Sequence, residues 1–291
     1  MPLETAPSPL IYISSSSVRT DTVTEAVTTL SHITSNIELS GGNTYDLQLL
    51  GKLQEYQREK GLHFLAHSYF PPPAEKFILN FSDTGKRTRD FIQNTILYIT
   101  ALKIPYYSIH AGFKKAFYFD GLMLFDSADA AFEPEGYEEN IAWFRERFPG
   151  IKLALENLYP IEGEIESCYF MHVDEIVLLM EKHDGIYLLL DLGHLKISAQ
   201  YLGFDCLDAV SLLFAKYADR ILEIHLSEND ASDDHHLTVT ADSLQYMILK
   251  KYCDTICSKK INVTIESRNT SLPQLSGCYQ LMNAVLSGVK Q

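Results

Sequence analysis

The chain has 291 residues, 46% hydrophobic, 21% charged and 11% aromatic, and its 24 Lys plus Arg against 38 Asp plus Glu give a formal net charge of -14. That composition excludes disordered, collagen-like and coiled-coil chains and supplies enough apolar side chains for a substantial core. The negative field opposes non-specific binding to nucleic acid or anionic membranes, and no run approaches the roughly 20 apolar residues that cross a bilayer.

Short runs rich in β-branched and aromatic residues alternate along the chain with longer segments of helical periodicity. A strand at 10–15 leads to a helix at 22–31, and a strand at 33–39 to a helix at 45–60. The pattern repeats with strands at 62–67, 106–110 and 152–156, each followed by a helix (88–102, 137–148 and 173–182). Strands at 187–191 and 221–225 precede helices at 206–217 and 242–258, and a last strand spans 261–266. Runs such as Tyr187-Leu188-Leu189-Leu190-Asp191 are apolar on both faces, as buried parallel strands are. Eight strands in alternation with helices predict a single (β/α)8 TIM barrel, a fold of about 250 residues. The alternative, an open doubly wound sheet, lacks its Gly-rich phosphate loop after the first strand. No linker or low-complexity tract interrupts the chain, so 1–291 is expected to be one domain.

The five cysteines (Cys168, Cys206, Cys253, Cys257, Cys278) are odd in number and sparse, a pattern of reducing compartments. Cys253 and Cys257 would share a helix face as half a metal site, but no second Cys or His pair has matching spacing. The first residues, Met-Pro-Leu-Glu-Thr-Ala-Pro, show no basic stretch before an apolar run, so a cytoplasmic protein without a signal peptide is expected.

The strand ends carry the chemistry. The third strand ends in His67, the fourth in His110 and the fifth in Glu156; the sixth ends in Asp191, with His194 three residues on. The seventh ends in His225 and the eighth in Glu266. In a barrel the C-terminal strand ends converge on one mouth, so these side chains would share one pocket. The stretch Asp233-Asp234-His235-His236 follows His225 in a loop over that mouth. Taken singly, each would be a capping or core residue; six in succession point to a metal site. Carboxylates crowded this closely resist burial unless cations neutralise them. The mixture of imidazole and carboxylate suits Zn²⁺, Mn²⁺, Fe²⁺ or Co²⁺, and the number of donors allows one to three ions.

The chain resembles the xylose isomerase-like TIM barrels, a superfamily of sugar isomerases and epimerases that also includes the endonuclease IV branch of apurinic endonucleases. The resemblance rests on Asn36-Ile37-Glu38-Leu39-Ser40-Gly41-Gly42, His67-Ser68-Tyr69-Phe70, Ile109-His110-Ala111-Gly112 and Leu155-Glu156-Asn157. It continues through Asp191-Leu192-Gly193-His194, His225-Leu226-Ser227-Glu228-Asn229-Asp230 and Ile265-Glu266-Ser267. It implies that Glu156, Asp191, His225 and Glu266 are shared metal ligands, and that His194 reads substrate beside Asp191. It also implies that His67, His110, His194, Asp234 and His236 are the further ligands of a trinuclear zinc site, with Asp233 and His235 as the alternative pair. Two departures stand out: Ala231 where sugar epimerases carry a substrate-holding Arg, and Thr240-Ala241-Asp242 in place of a Gly-x-Gly.

The resemblance implies a metal-dependent isomerase or epimerase of a small sugar or sugar phosphate, working through a metal-stabilised enediolate. Glu156 and Glu266 would then be proton carriers and His194 a catalytic partner. Tyr69, Phe70, Phe113 and Glu162 are candidate substrate contacts, and Lys114, Lys115, Lys196 or Arg268 would meet a phosphate. Packing at the rim is the competing reading of the aromatics, and solvated charge that of the basic residues. The alternatives are an endonuclease IV-like multi-zinc phosphodiester hydrolase and a catalytically degenerate ligand-binding barrel. The loop Ser40–Asp46 carries no positive charge, so no nucleic-acid partner is expected; a homo-oligomer is compatible with the sequence.

Overall fold

Each apolar run of the sequence forms a strand, and all eight lie parallel in one sheet. The computed structural model describes residues 11–75, 78–114, 118–119, 122–123, 136–268 and 270–288. The strands of this sheet are β1 (Ile11–Ser14), β2 (Asn36–Leu39), β3 (His63–Ala66), β4 (Tyr106–His110), β5 (Lys152–Glu156), β6 (Ile186–Asp191), β7 (Ile221–Leu226) and β8 (Asn262–Ile265). Their order is β3-β2-β1-β8-β7-β6-β5-β4. A parallel bridge from His67 to Ser108 draws the free edge of β3 toward β4, so the sheet is a nearly closed barrel. The chain is thus built as a (β/α)8 barrel.

The described residues include nine helices: α1 (Val23–Leu30), α2 (Leu49–Lys60), α3 (Lys86–Leu102), α4 (Gly136–Arg147), α5 (Val173–Lys182), α6 (Leu192–Leu202), α7 (Cys206–Tyr217), α8 (Leu244–Lys259) and α9 (Leu272–Leu286). Local chemistry starts them. Thr22 and Glu25 form a capping box on α1, as Ser271 and Gln274 do on α9. α6 and α9 were not foreseen from the sequence. α6 begins directly where β6 ends, because Asp191 closes the strand and caps the helix, its Oδ1 accepting from His194 N at 2.7 Å.

The main core lies between barrel and helices. Ile37 and Leu39 of β2 pack there with Val27, Leu53, Ile92 and Phe144, all buried. Burial of such side chains supplies most of the stability, roughly 1.5–3 kcal/mol each. Among the described residues, no helix is long and apolar enough to cross a membrane.

Candidate metal centre and its cavity

Strand register brings the candidate donors together. The β4–β5 ladder pairs His110 with Glu156, and the β6–β7 ladder pairs Asp191 with His225. His67 and Glu266 follow directly on β3 and β8. The side chain of Asn157 clasps the backbone of Asp191, accepting from its N–H at 2.8 Å and donating to its carbonyl at 3.0 Å.

Glu156 stands at the centre, 1% exposed. Its Oε2 lies 3.2 Å from His67 Nε2 and 3.3 Å from His110 Nε2. Its Oε1 lies 3.3 Å from His194 Nδ1 and 3.8 Å from His225 Nδ1. Burial works to raise the pKa of Glu156, but the imidazoles of His67 and His110 outweigh it and bring it down to about 2. The opposite holds at Asp191, which burial pushes up to about 6. Burial likewise lowers His110 to about 4. His225 Nδ1 also faces Glu266 Oε2 at 3.4 Å and Asp191 Oδ2 at 4.0 Å.

A second group adjoins the first. Asp234 Oδ2 lies 3.3 Å from His194 Nε2 and 2.7 Å from His236 Nε2. His194 Nδ1 is 2.9 Å from the Asn157 carbonyl and His236 Nδ1 is 3.0 Å from the Glu266 carbonyl. A carbonyl only accepts, so both rings carry hydrogen on Nδ1 and turn Nε2 toward Asp234. Asp234 and His236 are therefore the inward pair of the acidic loop. The His235 side chain is 43% exposed and faces Asp230.

The donors fit a metal better than they fit one another. Both Glu156 oxygens, Asp191 Oδ2 and His225 Nδ1 are buried without a hydrogen-bond partner among the described residues, although ring nitrogens stand close by. Buried charge left in this state is costly. Donors that face each other without bonding are aimed at a common point. Two overlapping groups, His67–His110–Glu156 and Glu156–Asp191–His225, have donor atoms within 4.8 Å of one another, as does Glu38–His67–His225.

A cavity of about 790 Å³ opens above these donors. Of the expected substrate contacts, Tyr69, Phe113, Glu162 and Arg268 line it. Three others do not belong to its lining. Phe70 is 0% exposed and packs edge-on against Tyr98, because Tyr69 takes the inward direction. Lys196 is held by Glu228 at 2.5 Å and by the Asn229 carbonyl, and Lys114 by Glu175 at 2.8 Å. Lys115 lies outside the described residues. Cys253 and Cys257 have their sulfurs 4.0 Å apart and turn to the carbonyls of Val285 and Leu286; among the described residues they join no group of possible metal donors.

Several residues of the site escaped the sequence. Tyr159 lines the cavity with its ring 4.8 Å from that of His194. Ser16 donates to Glu266 Oε1 at 3.3 Å, and Arg268 donates to the same oxygen at 2.7 Å. Glu38 and Glu223 lie deeper in the barrel, both 0% exposed. Their signal was present in the side-chain alternation: Glu38 follows Ile37 and precedes Leu39, so it points to the opposite face from those two core residues.

No protein-family model matches the chain, and no curated protein matches it. Solved structures share its fold. A D-tagatose 3-epimerase-like protein is 15% identical, with 96% of this chain and 98% of that one covered and a TM-score of 0.71. Endonuclease IV from Thermus thermophilus is 16% identical over 97% of this chain and 100% of its own, with a TM-score of 0.62. The IolI protein, solved with a binding zinc atom, is 13% identical over 97% and 99%, with a TM-score of 0.64.

Proposed function

We propose that the protein is a divalent-metal-dependent isomerase or epimerase acting on a small sugar or sugar phosphate. One observation carries the reading: Glu156, Asp191, His225 and Glu266 converge beneath a cavity of about 790 Å³. That volume falls in the range of small-molecule sites. Its charged lining, Asp21, Glu162, Asp233, Asp234 and Glu266 against Arg19 and Arg268, suits a polyhydroxylated molecule better than a nucleic-acid backbone.

Bound among these four donors, a divalent cation would supply Lewis-acid stabilisation of the oxyanion that forms when a proton leaves the carbon beside a carbonyl. Glu156 and Glu266 are the proton carriers of this reading. Burial opposes the charge of Glu266, but Arg268 and His236 hold its pKa well below the ordinary carboxylate value, which keeps it ionised. His194 stands beside Asp191 to orient substrate hydroxyls, and Tyr69 and Phe113 exclude water from one wall.

A specific observation favours a second reading. Glu156 has both oxygens among four imidazoles, the disposition of a bridging carboxylate, and Asp234 with His194 and His236 forms a separate donor group. Two or three ions there would suit endonuclease IV-like phosphodiester hydrolysis. Metal analysis and turnover separate the two. The first reading expects about one essential ion per chain and deuterium from solvent appearing in a ketose or aldose substrate. It also expects Glu156→Gln and Glu266→Gln to lose at least about 10²-fold in kcat with the fold intact. Three zinc ions with cleavage of abasic duplex DNA would transfer the conclusion to the second reading.

A further inference from the structure

One tier below the mouth, Glu38 on β2 and Glu223 on β7 are buried against His225, on the side of the ring opposite Nδ1. His225 Nε2 lies 2.8 Å from Glu38 Oε2 and 3.6 Å from Glu223 Oε1. The two acids are not equivalent. Glu223 Oε1 accepts from the Thr264 hydroxyl, so the structure gives it a partner of its own. Glu38 has one hydrogen-bond partner among the described residues: Oε2 meets His225, and Oε1 is buried with none.

A carboxylate accepts hydrogen bonds and does not donate them, so the hydrogen of the imidazole sits on Nε2. In the neutral ring, the form that binds a metal, the lone pair is then left on Nδ1, which faces Glu266, Glu156 and Asp191 at 3.4, 3.8 and 4.0 Å. A neutral imidazole offers a metal one nitrogen only, and what holds the other nitrogen decides which one. Resting on the metal-centre reading above, we propose that Glu38 is a positioning residue: by holding Nε2–H of His225 it fixes the ring and aims Nδ1 at the ion. Its charge also makes the imidazole a stronger donor, as carboxylates behind metal-bound histidines do. The Ser14–Glu38 register places this carboxylate within the barrel, where solvent does not compete for the ring.

The test uses the full chain with zinc or cobalt. Chelator competition should show Glu38→Ala binding about 10–100-fold more weakly than wild type, with the ion count per chain unchanged. Glu38→Gln keeps an acceptor oxygen at the same reach and should recover most of that loss. With ¹⁵N-labelled histidine, the Nε2–H of His225 should be a slowly exchanging signal in the metal-loaded wild type and in Glu38→Gln, and fast-exchanging in Glu38→Ala. Equal affinities for all three proteins would overturn the proposal, as would a lower ion count in the variants, which would make Glu38 a ligand itself. If Glu38→Ala does not fold, the Nε2–H signal of wild type against Glu38→Gln decides alone, and metal on Nε2 overturns the proposal. A wild type that binds no metal fails at the earlier step and overturns the metal centre.

Discussion

Asp191 has two tasks, and they can be separated. Its Oδ1 caps α6 by accepting from His194 N at 2.7 Å, while its Oδ2 is buried without a partner and faces His225. Asparagine caps a helix as well as aspartate does, whereas alanine caps poorly. In the metal-free protein Asp191→Asn should therefore melt at or above the wild-type temperature, since it also removes a carboxylate whose ionisation burial opposes. Asp191→Ala should lose about 1 kcal/mol, which in a chain of this size is a shift of about 1.5–2 °C. Both variants should lose metal affinity. Calorimetric melting of the apo forms checks this, and equal melting temperatures for the two would remove the capping role. This double use explains why Asp191 was legible as a strand-end acid while α6 was not: one residue serves as the last of the strand and the cap of the helix. Glu38 and Glu223 were missed for a related reason. They lie inside strands rather than at their ends, where an alternation of acid with isoleucine also describes an ordinary half-exposed strand.

The elements were legible wherever periodicity was long and unbroken. The sequence segments 106–110, 152–156, 173–182 and 206–217 coincide with β4, β5, α5 and α7. α9 was overlooked although its start is written in Ser271-Leu272-Pro273-Gln274, a capping box with proline in the first turn. Less visible still is what the loops require of one another. Gly41, in the loop after β2, has its backbone against Tyr69 in the loop after β3; a Cβ there would sit 2.6 Å from Tyr69 Cβ. Gly51 in α2 would place a Cβ in open space. The two glycines should respond with opposite sign. Gly41→Ala forces two loops apart and should cost about 1–3 kcal/mol, with a raised KM because Tyr69 lines the cavity. Gly51→Ala removes backbone freedom from the unfolded chain and should gain about 0.4–1 kcal/mol. Denaturant titration of both variants measures this, and a stable Gly41→Ala would show that the loops are free to separate.

At the scale of the whole molecule, the net charge of -14 is unevenly placed. Glu38, Glu156, Asp191, Glu223 and Glu266 are all nearly inaccessible, and the Asp234 side chain is 8% exposed. Without a cation this assembly relies on imidazolium for neutrality. Burial works against charge on each ring, yet Asp191 and Asp234 raise the pKa of His194 well above its ordinary value. Glu38 does the same for His225, and Glu266 raises His236. A metal ligand must be unprotonated, so binding has to expel those protons. The sign follows: the metal-free protein holds more protons than the metal-bound one, and apparent affinity rises with pH until those rings titrate. Between pH 6 and pH 8 zinc or manganese should bind progressively more tightly, and proton release should make the binding heat depend on the ionisation enthalpy of the buffer. The same linkage makes the ion a folding ligand. At about 1,000 times its dissociation constant it should stabilise the fold by about 4 kcal/mol, and chelation should lower the melting temperature accordingly. Calorimetry in two buffers of different ionisation enthalpy, run at each pH, measures both effects. A binding heat independent of buffer would mean that binding releases no protons, so that the imidazole and carboxylate donors are already unprotonated in the metal-free protein.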